Sequence, residues 1–307
     1  MFSVRRPAAS LQIFAFASVL FTALPMVSEA SEAFTITAPL AGRAVTSCSD
    51  ITVSGGTIDS RGVASTGPTN KGNVATNGNI TLSGSSTIQG DASVGPGKRI
   101  TTSGTARVTG TSSVATATFD CKPIDLVALK TSLQSANDNS RIPQTSQHKN
   151  PLTGANRTDF VMSGSDTLTL PAGTYYFTSF VVSGNSVITV GGPVHILCSG
   201  TVSISAGSIT STNSYNLHFW SSGASFALSG ATFQGFVYAP SASASLSSST
   251  LIGSVFANSV SMSGPAHVTR VIDDVAPRIT ITSPTDGAGA ADPAQVLFKG
   301  TVADDQT

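Results

Sequence analysis

Between Phe160 and Ile272 the chain writes one phrase repeatedly: a short β-branched run, a Ser-Gly or similar small-residue corner, then another short run, with almost no charge. It appears as Phe180-Val-Val-Ser-Gly, Val202-Ser-Ile-Ser-Ala-Gly, Phe226-Ala-Leu-Ser-Gly and Val260-Ser-Met-Ser-Gly, and earlier as Ile51-Thr-Val-Ser-Gly-Gly and Ile80-Thr-Leu-Ser-Gly. Strands this short cannot bury an apolar face alone, but similar ones stacked as coils of a solenoid can. Ser83-Gly84 and Ser103-Gly104 stand twenty residues apart, as do Ser163-Gly164 and Ser183-Gly184. A period near twenty suits one turn of a parallel β-helix, whereas a propeller blade needs about twice that.

The balance of charge removes whole classes of partner. Lys plus Arg number 16 and Asp plus Glu 16, for a formal net charge of zero. Nucleic acids and anionic membrane surfaces demand clustered cations, so neither is expected. Only 10% of residues are charged and 29 are glycine, yet 40% are hydrophobic and they alternate, which favours a folded β protein over a low-complexity tail.

Residues 1–33 read as a secretory signal peptide: Arg5-Arg6, an apolar stretch from Leu11 to Val27 broken by Pro25, then Ser28-Glu-Ala30 or Ser31-Glu-Ala33. The stretch is short for a bilayer span, so no membrane segment is expected after cleavage. Export to an oxidising compartment gives the three cysteines meaning. Cys48 and Cys121 flank the first repeat block and can close a disulfide around it, and Cys198 is left over. The alternative is three unpaired thiols acting as small hydrophobes. No Cys/His spacing suits zinc, and no cofactor is expected.

Residues 34–275 form the repeat domain. Pro123 to Ala136 departs from the strand rhythm with helical apolar spacing and Pro near the first turn, predicting one α-helix over about 123–136 that lies along or caps the solenoid. Residues 137–157, with Pro143, Pro151 and Gly154, predict a long surface loop. At Asp273-Asp274 the composition changes. Residues 276–307 resemble the first two strands of bacterial immunoglobulin-like repeats, an incomplete sandwich, since the full one needs about seven.

Candidate chemistry is sparse. Lyases and hydrolases on β-helices need converging carboxylates; Asp159 and Asp166 are the nearest acidic pair, at the entry to the second block, and Asp91 and Asp120 stand alone. Turn duty explains them as well. His195 and His218 alternate with apolar neighbours and read as wall residues. Asp273 and Asp274, with Asp304 and Asp305, offer oxygens for Ca²⁺ at the junction, against a solvated acidic linker. The aromatic groups Tyr175-Tyr176-Phe177 with Phe180, and Phe233, Phe236 and Tyr238, read as interior.

Leu170-Pro-Ala-Gly-Thr-Tyr-Tyr, Gly192-Pro-Val-His-Ile, Gly235-Phe-Val-Tyr-Ala-Pro and Val260-Ser-Met-Ser-Gly leading into His267 resemble an uncharacterised bacterial β-helix domain of pilus-assembly-associated and large secreted surface proteins. The resemblance covers about a third of the chain, from Leu168 to His267. It implies a surface-exposed, non-enzymatic role and supplies no catalytic residues. The chain also resembles secreted β-helix ice-binding proteins, whose activity needs a regular face of Thr and small residues. Thr35-Ile-Thr37, Thr116-Ala-Thr118 and Thr167-Leu-Thr169 occur here without recurring coil after coil. The expectation is an all-β, right-handed parallel β-helix with one flanking helix, exported to the cell surface or secreted, with a structural or adhesive role toward glycans or other surface proteins. Ice binding is the alternative and a glycan-active enzyme the third. Regular outward Thr ranks over four or more coils would favour ice.

Overall fold

The computed structural model describes residues 42–62 and 71–272, together with the backbone of two strands, Arg278–Ser283 and Lys299–Ala303, that pair antiparallel. The signal-peptide stretch and Asp273, Asp274, Asp304 and Asp305 lie outside the described residues.

The described strands between Val45 and Ile272 wind into a solenoid with three strands per coil, so three parallel sheets run along the stack. Many of the short strands alternate buried and outward residues, as in Ile51–Ser54 and Thr57–Gly62. The inward positions carry Ile, Val, Leu and Phe that stack on their counterparts one coil away. Ile51, Ile80, Val260 and Ala244 form one such ladder, each at most 2% exposed. Burial of this kind, at about 25 cal/mol per Å² of apolar surface, is what a single coil could not obtain alone.

The order of coils in space differs from their order in the chain. The strand Val45–Ser47 pairs with Val74–Thr76 on one side and with residues 255–257 on the other; Ile51–Ser54 likewise pairs with residues 260–263, and Thr57–Gly62 with His267–Ile272. The first coil therefore sits on the last. From this seam the chain builds outward to Ser112–Val114, travels back past the seam as the helix, and restarts at the far end with Asp159–Met162. Two separate blocks are expected from the sequence; the structure merges them into one stack.

The helix spans Leu126–Ser135, somewhat shorter than 123–136, because Asp125 caps it. Its carboxylate accepts from the N–H groups of Val127 and Ala128 at 2.9 and 3.1 Å. Pro123 thus precedes the helix. Leu126 and Leu133 pack on a second apolar cluster made of Tyr176, Leu197, Trp220, Tyr238 and Phe256, one outward residue from each of five successive coils. Ten helical residues rise about 15 Å, matching the three strand spacings of about 4.8 Å between Tyr238 and Tyr176. Accordingly Ile124 meets the Tyr238 hydroxyl and Gln134 the Tyr176 hydroxyl.

Residues 137–157 are more than a surface loop: they close one end of the solenoid, sheet by sheet. Asp138 exchanges two hydrogen bonds with the backbone of Thr174, and Asn139 two with that of Tyr176. Leu152–Thr153 pairs antiparallel with residues 159–160, and Ser146 exchanges two bonds with Thr167. The opposite end has no such cover among the described residues. There Ile100 and Val108 are only partly buried and Val114 is 57% exposed.

Candidate functional site: a serine-lined sheet

One of the three sheets is built of residues 159–162, 179–183, 202–205, 225–229, 243–247, 259–263, 51–54, 80–83 and 100–102. Its inward side is the core ladder of Val182, Ile204, Leu228, Leu246, Met262, Val53 and Leu82. Because side chains alternate across a strand, the intervening residues all project outward together.

The outward residues form ranks in strict register. One rank is serine throughout: Ser183, Ser205, Ser229, Ser247, Ser263, Ser54 and Ser83. At about 4.8 Å per strand it extends about 29 Å. The neighbouring rank runs Val161, Val181, Ser203, Ala227, Ser245, Ser261, Thr52, Thr81 and Thr101. Neither rank holds a charge or any side chain taller than valine. Ser243 and Ser259, toward the sheet's margin, bond to each other at 3.1 Å.

The Ser-Gly corners make this register possible. The residue after each rank serine turns the chain at positive φ: Gly55, Gly84, Gly184, Ala206, Gly230, Ser248 and Gly264, with φ between 49° and 90°. L-residues avoid this left-handed region, which explains the glycine. The sequence pattern places the serines at corners, whereas in the structure they are the last outward positions of the strands. Aligning the phrases on the glycine would have shown them as a column.

Threonine ranks are shorter. Thr52, Thr81 and Thr101 adjoin on the serine-lined sheet, and Thr169, Thr189 and Thr210 on another. Thr167 and Thr169 are exposed on a strand, whereas Thr116 and Thr118 lie beyond Ser112–Val114 in irregular chain, and Thr35 and Thr37 lie outside the described residues.

The acidic candidates serve the scaffold. Asp159 accepts from the hydroxyls of Thr178 and Ser179 one coil away. Asp166 is 2% exposed, with Lys149 Nζ 3.8 Å from it. Asp91 and Asp50 accept backbone N–H groups of the next coil, from Thr111 and Asn79, and Asp120 from Lys122. His195 and His218 are register partners projecting outward, with ring centroids 5.2 Å apart, and His195 stacks on Trp220. Burial lowers the pKa of both. Cys48 and Cys121 form a disulfide with Cα atoms 5.6 Å apart. Cys198 is free and buried, its thiol pushed up to about 11 by burial. Among the aromatics Tyr175, Phe177, Phe180 and Phe233 are interior, but Tyr176 and Tyr238 project outward under the helix, and Phe236 is half-buried beside Tyr215 and His218. Among the described residues no group of three or more His, Cys, Asp or Glu converges as a metal site, and no helix is long and apolar enough to cross a membrane.

Residues 35–268 match a family model described as "Putative Ice-binding-like adhesive domain". Among solved structures, a glycosylated ice-binding protein from an Arctic yeast (LeIBP) is similar at 18% identity, with 76% of this chain and 92% of that chain covered and a TM-score of 0.41. No curated protein matches.

Proposed function

This chain belongs to the ice-binding-like adhesive domain family, and we propose that it works outside the cell as a non-catalytic adhesive module whose contact surface is the serine-lined sheet. The observation that carries this reading is the unbroken register of seven serines beside a rank of Val, Ser, Ala and Thr. Small side chains lose little rotamer entropy on contact, and each hydroxyl both donates and accepts. A rigid comb of such groups suits a repetitive partner presenting hydroxyls, such as a cell-surface glycan. Non-catalysis is supported by the scaffold roles of Asp159 and Asp166. The strands Arg278–Ser283 and Lys299–Ala303 fit the start of an immunoglobulin-like module beside the adhesive one.

A second reading, ice binding, rests on the threonine ranks, which run three coils deep and fall short of the four that would favour it. Serine lacks the methyl group of threonine, and the longest rank here is serine, so adhesion to hydroxylated surfaces ranks first. The test presents the full chain to glycans, whole cells and growing ice, beside Ser245→Tyr and Ser261→Tyr. Retention on glycans or cells that both substitutions abolish supports adhesion through this sheet. Uptake into ice alone transfers the sheet to the second reading, and retention on nothing reduces the domain to a passive structural element.

A further inference from the structure

A cleft of about 660 Å³ opens at the closed end of the solenoid, away from the serine ranks, between the last turn of the helix, the 3-10 turn Asn139–Arg141 and the turn leading into Asp159–Met162. Its floor is fixed. Asn139 donates from Nδ2 to the Tyr176 carbonyl at 2.7 Å and accepts the Tyr176 N–H at 3.1 Å. The Tyr176 hydroxyl accepts from Gln134 Nε2 at 3.1 Å and lies 3.0 Å from that of Ser199. Tyr176 is 2% exposed, so its ring is no stacking platform.

The wall is fixed as well. The Arg157 N–H donates to the Gly154 carbonyl at 3.1 Å, closing a tight turn. Gly154 has φ +81°, and a Cβ there would come within 2.6 Å of the Asp159 carboxylate. Arg157 itself sits at φ 51°, a left-handed conformation that costs a non-glycine residue free energy. The fold thus holds an arginine in a strained backbone geometry at the rim of a preformed cleft.

The chemistry of the lining narrows the ligand. Gln134, Asn137 and Asn156 supply amides, and Ser140 and Thr158 hydroxyls; each group both donates and accepts, as vicinal sugar hydroxyls require. The nearest carboxylate, that of Asp159, lies behind the wall and is occupied by the Thr178 and Ser179 hydroxyls, and among the described residues Arg157 makes no ion pair. A polyphosphate or nucleic acid would call for several cations. A single planar guanidinium matches a single carboxylate through two parallel hydrogen bonds. We propose that this cleft binds a uronic-acid-bearing carbohydrate, with Arg157 holding the carboxylate and the amides holding ring hydroxyls. The site adjoins the end of the serine-lined sheet through Thr158 and Thr178 but contains none of its rank residues, and it stands whether or not that sheet is adhesive.

Isothermal titration of the full chain with galacturonate oligosaccharides, against neutral galactose oligosaccharides of equal length, tests it. Saturable binding of the acidic sugar is expected, at least tenfold tighter than the neutral one and weakened by added salt. Arg157→Gly should abolish it without lowering the thermal midpoint, because glycine relaxes φ at that position. Ser140→Tyr, which fills the cleft and leaves the charge alone, should also abolish it, while Ser245→Tyr leaves it unchanged. Absence of saturable binding by the parent chain at millimolar sugar overturns the proposal, as does equal affinity for both sugars that survives in Arg157→Gly and Ser140→Tyr.

Discussion

The Nε2 atom of His218 lies 3.0 Å from the carbonyl oxygen of Tyr215. A carbonyl only accepts, so this nitrogen carries the ring proton and Nδ1, buried and without a hydrogen-bond partner, is left bare. Burial, then the neighbouring His195, push the pKa of His218 down to about 4 against the raising effect of the Tyr215 bond. The unfolded chain titrates near 6.5 and binds more protons than the folded one between these values. The stabilising contribution is full above about pH 6.5 and is lost as pH falls toward 4. His195, lowered by burial, acts in the same direction. Since the His218 ring is half-buried, roughly 2 kcal/mol is expected. Urea midpoints at pH 7.5 and 4.5 measure it, and His218→Phe should flatten the difference; an undiminished slope in that variant would place the proton uptake elsewhere.

The column of left-handed corners gives a paired prediction. Ala206 occupies at φ 55° a place that glycine fills in other coils, so Ala206→Gly should stabilise by about 1 kcal/mol. Gly184→Ala reverses the logic: φ is +67°, and the new Cβ would run into the Gly164 carbonyl, for a loss of about 2 kcal/mol or more. Denaturant midpoints with unchanged m-values report both, and a stabilised Gly184→Ala would contradict the corner geometry.

The bridge between Cys48 and Cys121 closes a loop of sequence separation 73, which corresponds to about 4 kcal/mol of loop-closure entropy. It ties the seam coil to the chain entering the helix, where Phe119 packs edge-on to Phe256 at 6.2 Å. Cys121→Ser should lower the thermal midpoint and make it indifferent to reductant. Alkylation of the denatured chain should label one thiol, Cys198, without reductant and three with it. Three labels in both conditions would dismiss the bridge.

Lys98, Arg99 and Arg107 are exposed at the open end, beside the strands Ile100–Thr102 and Arg107–Val108. Charge on an edge strand discourages pairing with another copy. Replacing all three with threonine should produce concentration-dependent association in sedimentation velocity, while the parent chain stays monomeric. Identical sedimentation of the two would mean the edge is protected by something other than charge.

Much of the coil is legible in the sequence. The twenty-residue spacing of Ser83 and Ser103 is the spacing of stacked strands, for the Ser103 N–H donates to the Leu82 carbonyl at 2.9 Å. The α-helix is legible from Leu126, Leu129 and Leu133, although Asp125 rather than Pro123 marks its start. The stacking of Ile51 on Val260 is not legible, because every coil writes the same phrase and local pattern cannot say which coil meets which. Nor is the closing role of Asp138 and Asn139, polar residues that look like ordinary loop yet bond the strand backbone of Thr174 and Tyr176. The helix covers Tyr176 and Tyr238, so aromatics read as one interior divide between two clusters.

The docking of the first coil on the last gives synthesis a finish line. Residues 45–62 leave the ribosome early, yet one side of each of their strands stays unsatisfied until residues 250–272 arrive. Pairings this distant in sequence are slow to form and costly to close. A nascent or broken chain that lacks the final coil therefore carries two raw edges, where proteases and chaperones act. The joint thus makes arrival of the final coil the condition for covering both sides of the first one.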